Sequence, residues 1–291
     1  MTKVLVEILF AQPGSEPTGH VIPADIYDNY EKGDLNMELK DRVILITGAS
    51  SGIGKAVALA LSHGHNRIVI TARRKELLSD VAETIQKNGS DALAIAGDAL
   101  DEKQAAGVVD QAVQRFGRID IALLNIGAGP SLSIAEAAPD DIKQNMRVNY
   151  DTMINFFCPL VQQMKTQDAG GVIANTNSLA GFLGLPTQGQ YSAAKAACRM
   201  FLDTARIELK PFNIRVLTIC PGFVVTERNK HPGIPHSLTM TMDEAAGHIM
   251  NALRSERKEY LFPNHLKTAV MLPKFLPRSA TERVLSRFSH S

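Results

Sequence analysis

The stretch "ILITGASSGIGKAVALAL", residues 44–61, joins an apolar β-branched run to a helical pattern through a glycine-rich turn. Gly48, Gly52 and Gly54 stand directly after the predicted strand and at the opening of the predicted helix. Glycine at these positions lets the backbone turn sharply and approach a pyrophosphate, whose charge is met by N–H groups at the helix N-terminus. The spacing G-x-x-x-G-x-G differs from the usual G-x-G-x-x-G. The strand and helix on either side nevertheless predict a dinucleotide site.

The same alternation of strand and helix recurs along the chain. Short β-branched runs are separated by stretches with helical spacing, such as residues 75–89. Near-continuous apolar strands in this pattern indicate a parallel sheet covered on both faces. We therefore predict a single-domain α/β fold, a Rossmann-type doubly wound sheet of seven parallel strands. The expected strands lie near residues 42–47, 67–71, 92–96, 119–125, 171–176, 214–220 and 259–262.

The composition argues against several classes of protein. With 31 basic and 30 acidic residues in 291, the net charge is +1, so no global field attracts nucleic acid. Cys158, Cys198 and Cys220 lie in apolar stretches without C-x-x-C spacing, so we expect core packing, a reducing compartment and no metal site. No run approaches the ~18 apolar residues of a membrane span, and the first residues make a poor signal peptide. These features predict a cytoplasmic protein.

Two terminal segments fall outside the regular pattern. Residues 1–36 combine a short apolar run with Pro/Gly-rich and polar stretches. We interpret them as a leader without a catalytic role, and the alternative is an arm that packs on a neighbouring subunit. Residues 37–263 form the predicted catalytic domain. Residues 264–291 form a basic amphipathic tail, for which packing on the core or a partner subunit is favoured over peripheral contact with a membrane.

The end of the second predicted strand indicates which dinucleotide is bound. A site for NAD usually has an acidic residue about 20 residues after the glycines, which accepts a hydrogen bond from the ribose 2′-OH. This chain has Ala72, Arg73 and Arg74 there, with no carboxylate. Because a guanidinium binds a 2′-phosphate through charge-assisted hydrogen bonds, we predict NADP(H). Arg73 is the expected phosphate ligand with Arg74 as its companion, and Ser50 and Ser51 add hydroxyl contacts to phosphate or ribose.

A tyrosine and a lysine stand four residues apart in "GQYSAAKAA", residues 189–197. In a helix these two positions share a face, so the phenol of Tyr191 and the ammonium of Lys195 project into the same space. Reduction of a carbonyl by hydride transfer needs a proton donor within reach of the new alkoxide. A neighbouring ammonium favours the phenolate, so the tyrosine becomes usable as both acid and base.

Together these motifs resemble the short-chain dehydrogenase/reductase family over about residues 40–263. The matching segments follow the family's order: "TGASSGIG" (47–54), "GDAL" (97–100), "NIGAG" (125–129), "MRVNYDT" (146–152), "NTNSLAG" (175–181), "YSAAK" (191–195) and "CPGFVVT" (220–226). Ser178 precedes Tyr191 by 13 residues, as in the family. The chain departs from the usual N-N-A-G motif at Ile126 and Gly127.

The resemblance implies a role for each matched residue. Tyr191 is the expected acid/base, and Ser178 orients the reacting oxygen. Lys195 also binds the nicotinamide ribose, and Asn149 holds a water that links Lys195 to solvent. The full set of expected cofactor contacts is Gly48, Ser50, Ser51, Gly52, Ile53, Gly54, Arg73, Arg74, Asp98, Ala99, Asn125, Gly127, Tyr191, Lys195, Pro221, Gly222, Val224 and Thr226.

The substrate wall is expected from loops that follow the strands, at residues 129–133, 179–188 and 223–242. They carry the apolar side chains of Leu179, Phe182, Leu183, Leu185, Phe223 and Val224. An apolar ketone, aldehyde or secondary alcohol is the predicted substrate. Residues 226–241 are a candidate lid.

Other functions on the same fold stay open at this point. They are a cofactor-bound scaffold or sensor without turnover, and net-neutral chemistry such as epimerisation. The resemblance also implies a homo-dimer or homo-tetramer, formed through the helix that holds Tyr191 and the helix before it, where small side chains allow close packing.

Overall fold

The computed structural model describes residues 37–227 and 236–286, so the predicted leader lies outside the described residues. The strands are β1 (Val43–Thr47), β2 (Arg67–Ala72), β3 (Asp91–Ala96), β4 (Ile121–Leu124), β5 (Gly171–Thr176), β6 (Ile214–Pro221), β7 (Phe223–Val224), β8 (Thr239–Met240) and β9 (Glu259–Phe262). Seven of them form one parallel sheet in the order β3-β2-β1-β4-β5-β6-β9, and β7 pairs with β8 separately.

Helices cover both faces of this sheet. They are α1 (Gly52–Leu61), α2 (Lys75–Lys87), α3 (Glu102–Phe116), α4 (Pro139–Met146), α5 (Thr152–Lys165), α6 (Gly189–Glu208), α7 (Met242–Ser255), α8 (Asn264–Met271) and α9 (Arg278–Leu285). Side chains of α1, α2 and α7 share one core cluster, and those of α3, α5 and α6 share the other. The predicted single-domain, doubly wound, seven-stranded parallel sheet is confirmed.

The central strands β1 and β4 are almost continuously apolar because both sheet faces are buried there. In β1, Ile44 and Ile46 belong to one core cluster, whereas Leu45 between them belongs to the other. Successive side chains of a strand point to opposite faces, so a strand buried on both sides needs an apolar residue at every position. This explains why short continuous runs, without polar alternation, located the strands in the sequence.

The strand order places a crevice at the carboxyl ends of β1 and β4. β1 is the third of the seven strands, with β2 and β3 on one side and β4, β5, β6 and β9 on the other. In such a sheet the connections diverge between the two central strands, and ligands bind in the crevice that opens there. The glycine turn that follows β1 and the "NIGAG" segment that follows β4 therefore border the same crevice.

The prediction that all three cysteines pack in the core is wrong for Cys158. Cys198 and Cys220 are buried, but Cys158 is exposed. Cys158 lies on α5 outside the stripe that faces the core, which Met153, Phe156 and Leu160 form. An apolar neighbourhood in sequence does not show which side of a helix a residue occupies. Burial raises the pKa of the Cys198 and Cys220 thiols, so both stay protonated.

The described part of the tail packs on the domain that carries the seven-stranded sheet. α8 lies against β9 and against a 3₁₀ turn at Leu179–Phe182. Leu266 of α8 comes so close to the chain after β6 that a Cβ at Gly222 would lie 2.5 Å from its Cδ1 atom. In the described ranges we find no helix with the length and apolar character needed to cross a bilayer.

Arg206 connects α6 to the edge of the sheet through hydrogen bonds. Its Nε atom donates to the Val216 carbonyl at 3.0 Å, and its Nη2 atom donates to Thr218 Oγ1 at 2.9 Å and to the Lys258 carbonyl at 3.0 Å. Its Nη1 atom pairs with Asp203 at 2.7 Å. One side chain, only 17% exposed, thus joins the long helix to β6 and to the segment before β9.

We expect Arg206→Met to lower the free energy of unfolding by roughly 1.5–3 kcal/mol, because it removes charge-assisted hydrogen bonds to partly buried carbonyls. Arg115→Met is the matched control. Arg115 is 60% exposed and pairs with Asp91 at 3.2 Å, so its loss should change the free energy by less than about 1 kcal/mol. Urea denaturation of both variants measures the difference, and equal effects would contradict the role given to Arg206.

Candidate active site

The turn between β1 and α1 depends on glycine at three positions. Gly48 and Gly52 have φ angles of +69° and +59°, in the left-handed region that glycine adopts without strain. Gly54 is needed for space, because a Cβ there would lie 2.5 Å from the Gly48 carbonyl oxygen. Ser51 at the N-cap of α1 makes no side-chain hydrogen bond to the helix, so the first N–H groups are not capped and suit an anion. Ile53 packs on the core beside them.

Arg74 is the arginine that reaches the glycine turn. Its Nη2 atom donates to Ser50 Oγ at 3.0 Å and to Ser51 Oγ at 2.7 Å. Arg73, expected as the first phosphate ligand, is exposed at the same end of β2. The sequence predicted the cluster, but it could not show which guanidinium lies on the turn.

The segment after β3 is fixed by side chains of two helices. Gln104 of α3 accepts the Asp98 N–H at 2.9 Å, and the Asp98 carboxylate accepts the Leu100 N–H at 3.0 Å. Asn155 of α5 donates to the Ala99 carbonyl at 2.9 Å. Asp98 and Ala99 therefore lie in a defined conformation at the carboxyl end of the sheet.

The "NIGAG" segment brings Asn125 and Gly127 into the crevice. The Asn125 N–H donates to Thr47 Oγ1 at 2.9 Å, which joins the ends of β4 and β1. Asn125 Oδ1 is buried and has no hydrogen-bond partner among the described residues. A Cβ at Gly127 would lie 2.8 Å from Asn149 Oδ1 and 3.0 Å from Lys195 Nζ. Glycine in place of the family's alanine leaves room for these two polar groups.

Asn149 lies on a π-helical turn, residues 147–151, between α4 and α5. Its carboxamide donates to the carbonyls of Ala128 and Asn145 at 2.8 and 3.0 Å and accepts the Ala128 N–H at 3.2 Å. The side chain thereby fixes the segment after β4. Wide turns of this kind are rare and often occur at functional sites, and the sequence motif gave no sign of this one.

Tyr191 and Lys195 come together on α6 as predicted from their spacing. The Lys195 ammonium lies 5.6 Å from the centroid of the Tyr191 ring. It is only 2% exposed and donates to the Thr176 carbonyl, at the end of β5, at 3.1 Å. The segment after β4 closes on the tyrosine, because a Cβ at Gly129 would lie 3.0 Å from Tyr191 Cγ.

Asn177 is a site residue that the sequence analysis missed. Its Oδ1 atom accepts the Ser178 N–H at 2.9 Å, and its Nδ2 atom donates to the Lys195 carbonyl at 3.1 Å. The Ser178 hydroxyl accepts the Ala180 N–H at 3.1 Å. One buried carboxamide thus joins Ser178 to the helix that carries Lys195. A polar residue directly after a buried strand was the available signal.

The segment after β6 approaches the glycine turn from the other side. Pro221 ends β6, and the Gly222 N–H donates to the Phe262 carbonyl at 2.8 Å. Val224 is buried, and Thr226 Cγ2 lies 3.8 Å from the position of a Cβ at Gly52. Half of the predicted lid, residues 228–235, lies outside the described residues.

Two of the expected substrate loops are hydrogen-bonded to each other. The Leu132 N–H donates to the Thr187 carbonyl at 2.8 Å, and Gln190, in α6 just after the second loop, donates to the Pro130 carbonyl at 2.9 Å. These contacts were not predicted, because nothing in the sequence pairs the two loops. Phe182, expected in the pocket wall, has its ring in contact with two cations of α6 and the tail.

The residues at the crevice fit a dinucleotide. The Gly48–Gly54 turn forms a cradle that a Cβ at Gly54 would fill. Arg74 with Ser50 and Ser51 places a cation and two hydroxyls at its edge, and Asn125 Oδ1 is a buried acceptor without a partner among the described residues. Such a set matches the phosphates and ribose hydroxyls of a nucleotide cofactor.

The chain is similar to known proteins over most of its described length. A family profile described as short chain dehydrogenase matches residues 42–233. An uncharacterized oxidoreductase of Listeria monocytogenes is 34% identical over 193 residues, which are 66% of this chain and 77% of the relative. A short-chain type dehydrogenase/reductase from Mycobacterium marinum has a crystal structure with a TM-score of 0.73 and 28% identity, covering 80% of this chain and 98% of that chain. An alcohol dehydrogenase from the archaeon Thermococcus sibiricus, complexed with 5-hydroxy-NADP, has a TM-score of 0.69 and 25% identity, covering 76% and 94%.

The glycine turn can be tested by adding one methyl group. We expect Gly54→Ala to lower the free energy of unfolding by roughly 1–3 kcal/mol, because the Cβ meets a backbone oxygen that cannot rotate away. Gly107→Ala in α3 is the control, since nothing lies within 4 Å of its Cβ position. That variant should gain about 0.5–1 kcal/mol from helix propensity. A stable Gly54→Ala protein in chemical denaturation would refute the close packing.

Proposed function

Because this chain belongs to the short-chain dehydrogenase family, we propose that it is an enzyme that transfers a hydride between NADP(H) and an apolar ketone, aldehyde or secondary alcohol. One observation carries this proposal: the buried Lys195 ammonium lies beside Tyr191 at the carboxyl end of the central sheet. The bound nicotinamide supplies or accepts the hydride. Side chains of the protein supply the proton for the substrate oxygen and orient that oxygen.

Tyr191 is the general acid in the direction of reduction. Hydride transfer to a carbonyl carbon leaves negative charge on the oxygen, and a phenol within hydrogen-bond reach donates its proton to that oxygen. In the direction of oxidation the phenolate accepts the proton of the alcohol. The close approach of Gly129 to the ring supports this role, because it fixes where the phenol stands.

Lys195 balances the negative charge that Tyr191 carries after it has given up its proton. An ammonium has three N–H donors, and one of them goes to the Thr176 carbonyl. The other two are in place to bind ribose hydroxyls of the cofactor and a water. The position of the cofactor and the charge beside the phenol then depend on the same side chain.

Asn149 holds the water through which Lys195 exchanges protons with solvent. Support comes from Gly127, where a Cβ would contact Asn149 Oδ1 and Lys195 Nζ together, so both atoms border one space. The Asn149 carboxamide accepts a hydrogen bond from the Ala128 N–H and donates one to the Ala128 carbonyl, so it cannot rotate without losing both bonds.

Ser178 orients the oxygen of the substrate. Its Oγ atom already accepts the Ala180 N–H, so the hydroxyl proton is the group that remains to point at a developing negative charge. Asn177 is a positioning residue for this serine, because it ties the Ser178 backbone to α6.

NADP(H) is favoured over NAD(H) by charge at the end of β2. Arg74 lies on the two serines of the turn and Arg73 lies next to it, with no carboxylate at the position that would accept from a ribose 2′-OH. The alcohol dehydrogenase from Thermococcus sibiricus, with its bound 5-hydroxy-NADP, gives similar support from a related fold.

The apolar substrate, the cytoplasmic localisation and the homo-oligomer stay predictions that we carry forward. Leu179, which follows Ser178 directly in the chain, is a buried apolar side chain, and this favours an apolar substrate. Ala193, Ala196 and Met200 are exposed on α6, which suits helix packing between subunits.

We expect Tyr191→Phe to reduce kcat by roughly 10²–10⁴-fold, because the proton donor is gone while the ring stays. The dissociation constant for NADPH should stay within about two-fold, since the phenol hydroxyl adds little to the binding of phosphates. Tyr260→Phe on β9 is the matched control and should turn over normally. Both are measured by NADPH consumption against apolar ketones, aldehydes, quinones and keto-esters. Wild-type rates in Tyr191→Phe would remove the proposed acid.

Arg74→Met should weaken binding of NADPH by roughly 10- to 100-fold and leave binding of NADH nearly unchanged, because one charge-assisted contact to the 2′-phosphate is lost. Arg73→Met should show the same selectivity with a smaller effect, since that side chain does not lie on the turn. Titration of each variant with both cofactors measures this. A wild-type protein that prefers NADH would contradict the assignment.

A further inference from the structure

The C-terminal segment, residues 264–286, contacts the turn that follows Ser178. That turn is the 3₁₀ segment Leu179–Phe182. Leu266 of α8 and Leu179 of the turn meet at Gly222, where a Cβ would lie 2.5 Å from Leu266 Cδ1 and 3.5 Å from Leu179 Cδ1. The start of the turn is therefore packed between the chain after β6 and the C-terminal segment.

The end of the same turn is held by two cations. The Lys274 ammonium lies 4.7 Å from the centroid of the Phe182 ring, and the Arg199 guanidinium lies 4.1 Å from it. Arg199 also pairs with Glu259 of β9 at 3.1 Å. A cation over an aromatic ring is attracted by the negative charge of the ring face. Lys274 thus brings the C-terminal segment onto an aromatic ring of the substrate loop.

We propose that Lys274 is a positioning residue for the loop that carries Ser178. Through the contact of Lys274 with Phe182, the C-terminal segment fixes the position of this loop on the substrate side of the active site. The proposal rests on the function proposed above. It assigns a role in catalysis to a segment outside the residues 42–233 that match the family profile.

The turn is short enough to carry a displacement of Phe182 to the catalytic residues. The Gly181 N–H donates to the Ser178 carbonyl at 3.0 Å, and the Ala180 N–H donates to the Ser178 hydroxyl at 3.1 Å. A Cβ at Gly181 would lie 2.9 Å from Asn177 Oδ1 and 3.0 Å from the Lys195 carbonyl carbon. The turn packs directly against the helix that carries Lys195. The orientation of the turn and the orientation of the Ser178 hydroxyl therefore change together.

The charges around Lys274 indicate that its ammonium is held beside the Phe182 ring by a specific contact. Burial and the nearby positive charge of Arg199 lower the pKa of Lys274, and Glu259 opposes them. A lysine on the surface of a terminal segment avoids such surroundings by turning into water. The attraction between the Lys274 ammonium and the Phe182 ring favours this position although Arg199, another cation, contacts the same ring. Lys274 is still an exposed residue, so its effect should be modest.

Three variants test the proposal on the full chain. Lys274→Met removes the charge and keeps the length, Lys274→Arg keeps a cation, and Lys267→Met in α8 is the matched control from the same segment. Hydrogen exchange of the amides of residues 179–182 and steady-state kinetics are measured for each. We expect Lys274→Met to speed the exchange and lower kcat, each about two- to five-fold, the size of an exposed cation–π contact. The NADPH dissociation constant should not change.

Lys274→Arg should restore both values, and Lys267→Met should match the wild type. Exchange at residues 179–182 that is equal in Lys274→Met and the wild type overturns the proposal, as does an equal change in Lys267→Met. Faster exchange with wild-type kcat overturns the catalytic role. Exchange needs no substrate, so a wild type that reduces none of the carbonyl compounds refutes the proposed activity while the loop contact is still decided by its own measurement.

Discussion

The buried ammonium of Lys195 is the constraint on which the rest of the site depends. A charge removed from water is costly unless polar groups surround it, and Lys195 is only 2% exposed. The carbonyl of Thr176 accepts one of its protons, and the absence of a side chain at Gly127 leaves space for the amine beside Asn149. The fold has to bring the ends of β4 and β5 and the helix α6 to one point in order to keep this charge.

A parallel sheet meets that requirement because all its strands end at the same edge. The glycine turn after β1, Asn125 after β4 and Ser178 after β5 then reach the crevice from neighbouring strands. Two carboxamides make the arrangement rigid: Asn149 holds the segment after β4, and Asn177 joins Ser178 to α6. In the proposed reaction, the same rigidity keeps acid, charge and orienting hydroxyl around one oxygen atom.

The sequence predicted the parts of the structure that follow from local chemistry. Apolar runs located all seven strands of the sheet, and the runs are most continuous in the central strands β1 and β4, which are buried on both faces. The glycine turn and the shared face of Tyr191 and Lys195 followed from backbone geometry and helical spacing. The family resemblance supplied roles for Asn149 and Ser178, which local reasoning did not.

What the sequence could not predict depends on contacts between distant segments. The π turn at residues 147–151, the bridge made by Asn177 and the contact of Gln190 with Pro130 need the folded neighbours to exist. The exposure of Cys158 depends on which side of α5 faces the core. The choice of Arg74 over Arg73 for the turn, and the position of Lys274 over Phe182, are likewise set by tertiary packing.

The central claim is that this buried lysine and its tyrosine complete a hydride transfer between a nicotinamide and a carbonyl carbon. It is tested most directly with NADPH that carries deuterium at both positions of the reactive nicotinamide carbon. Incubated with the enzyme and an apolar ketone, it should give an alcohol with one deuterium on the carbinol carbon, seen by mass spectrometry, and the oxygen-bound proton should come from water. An alcohol without deuterium on that carbon, or consumption of NADPH without any reduced product, would contradict the account.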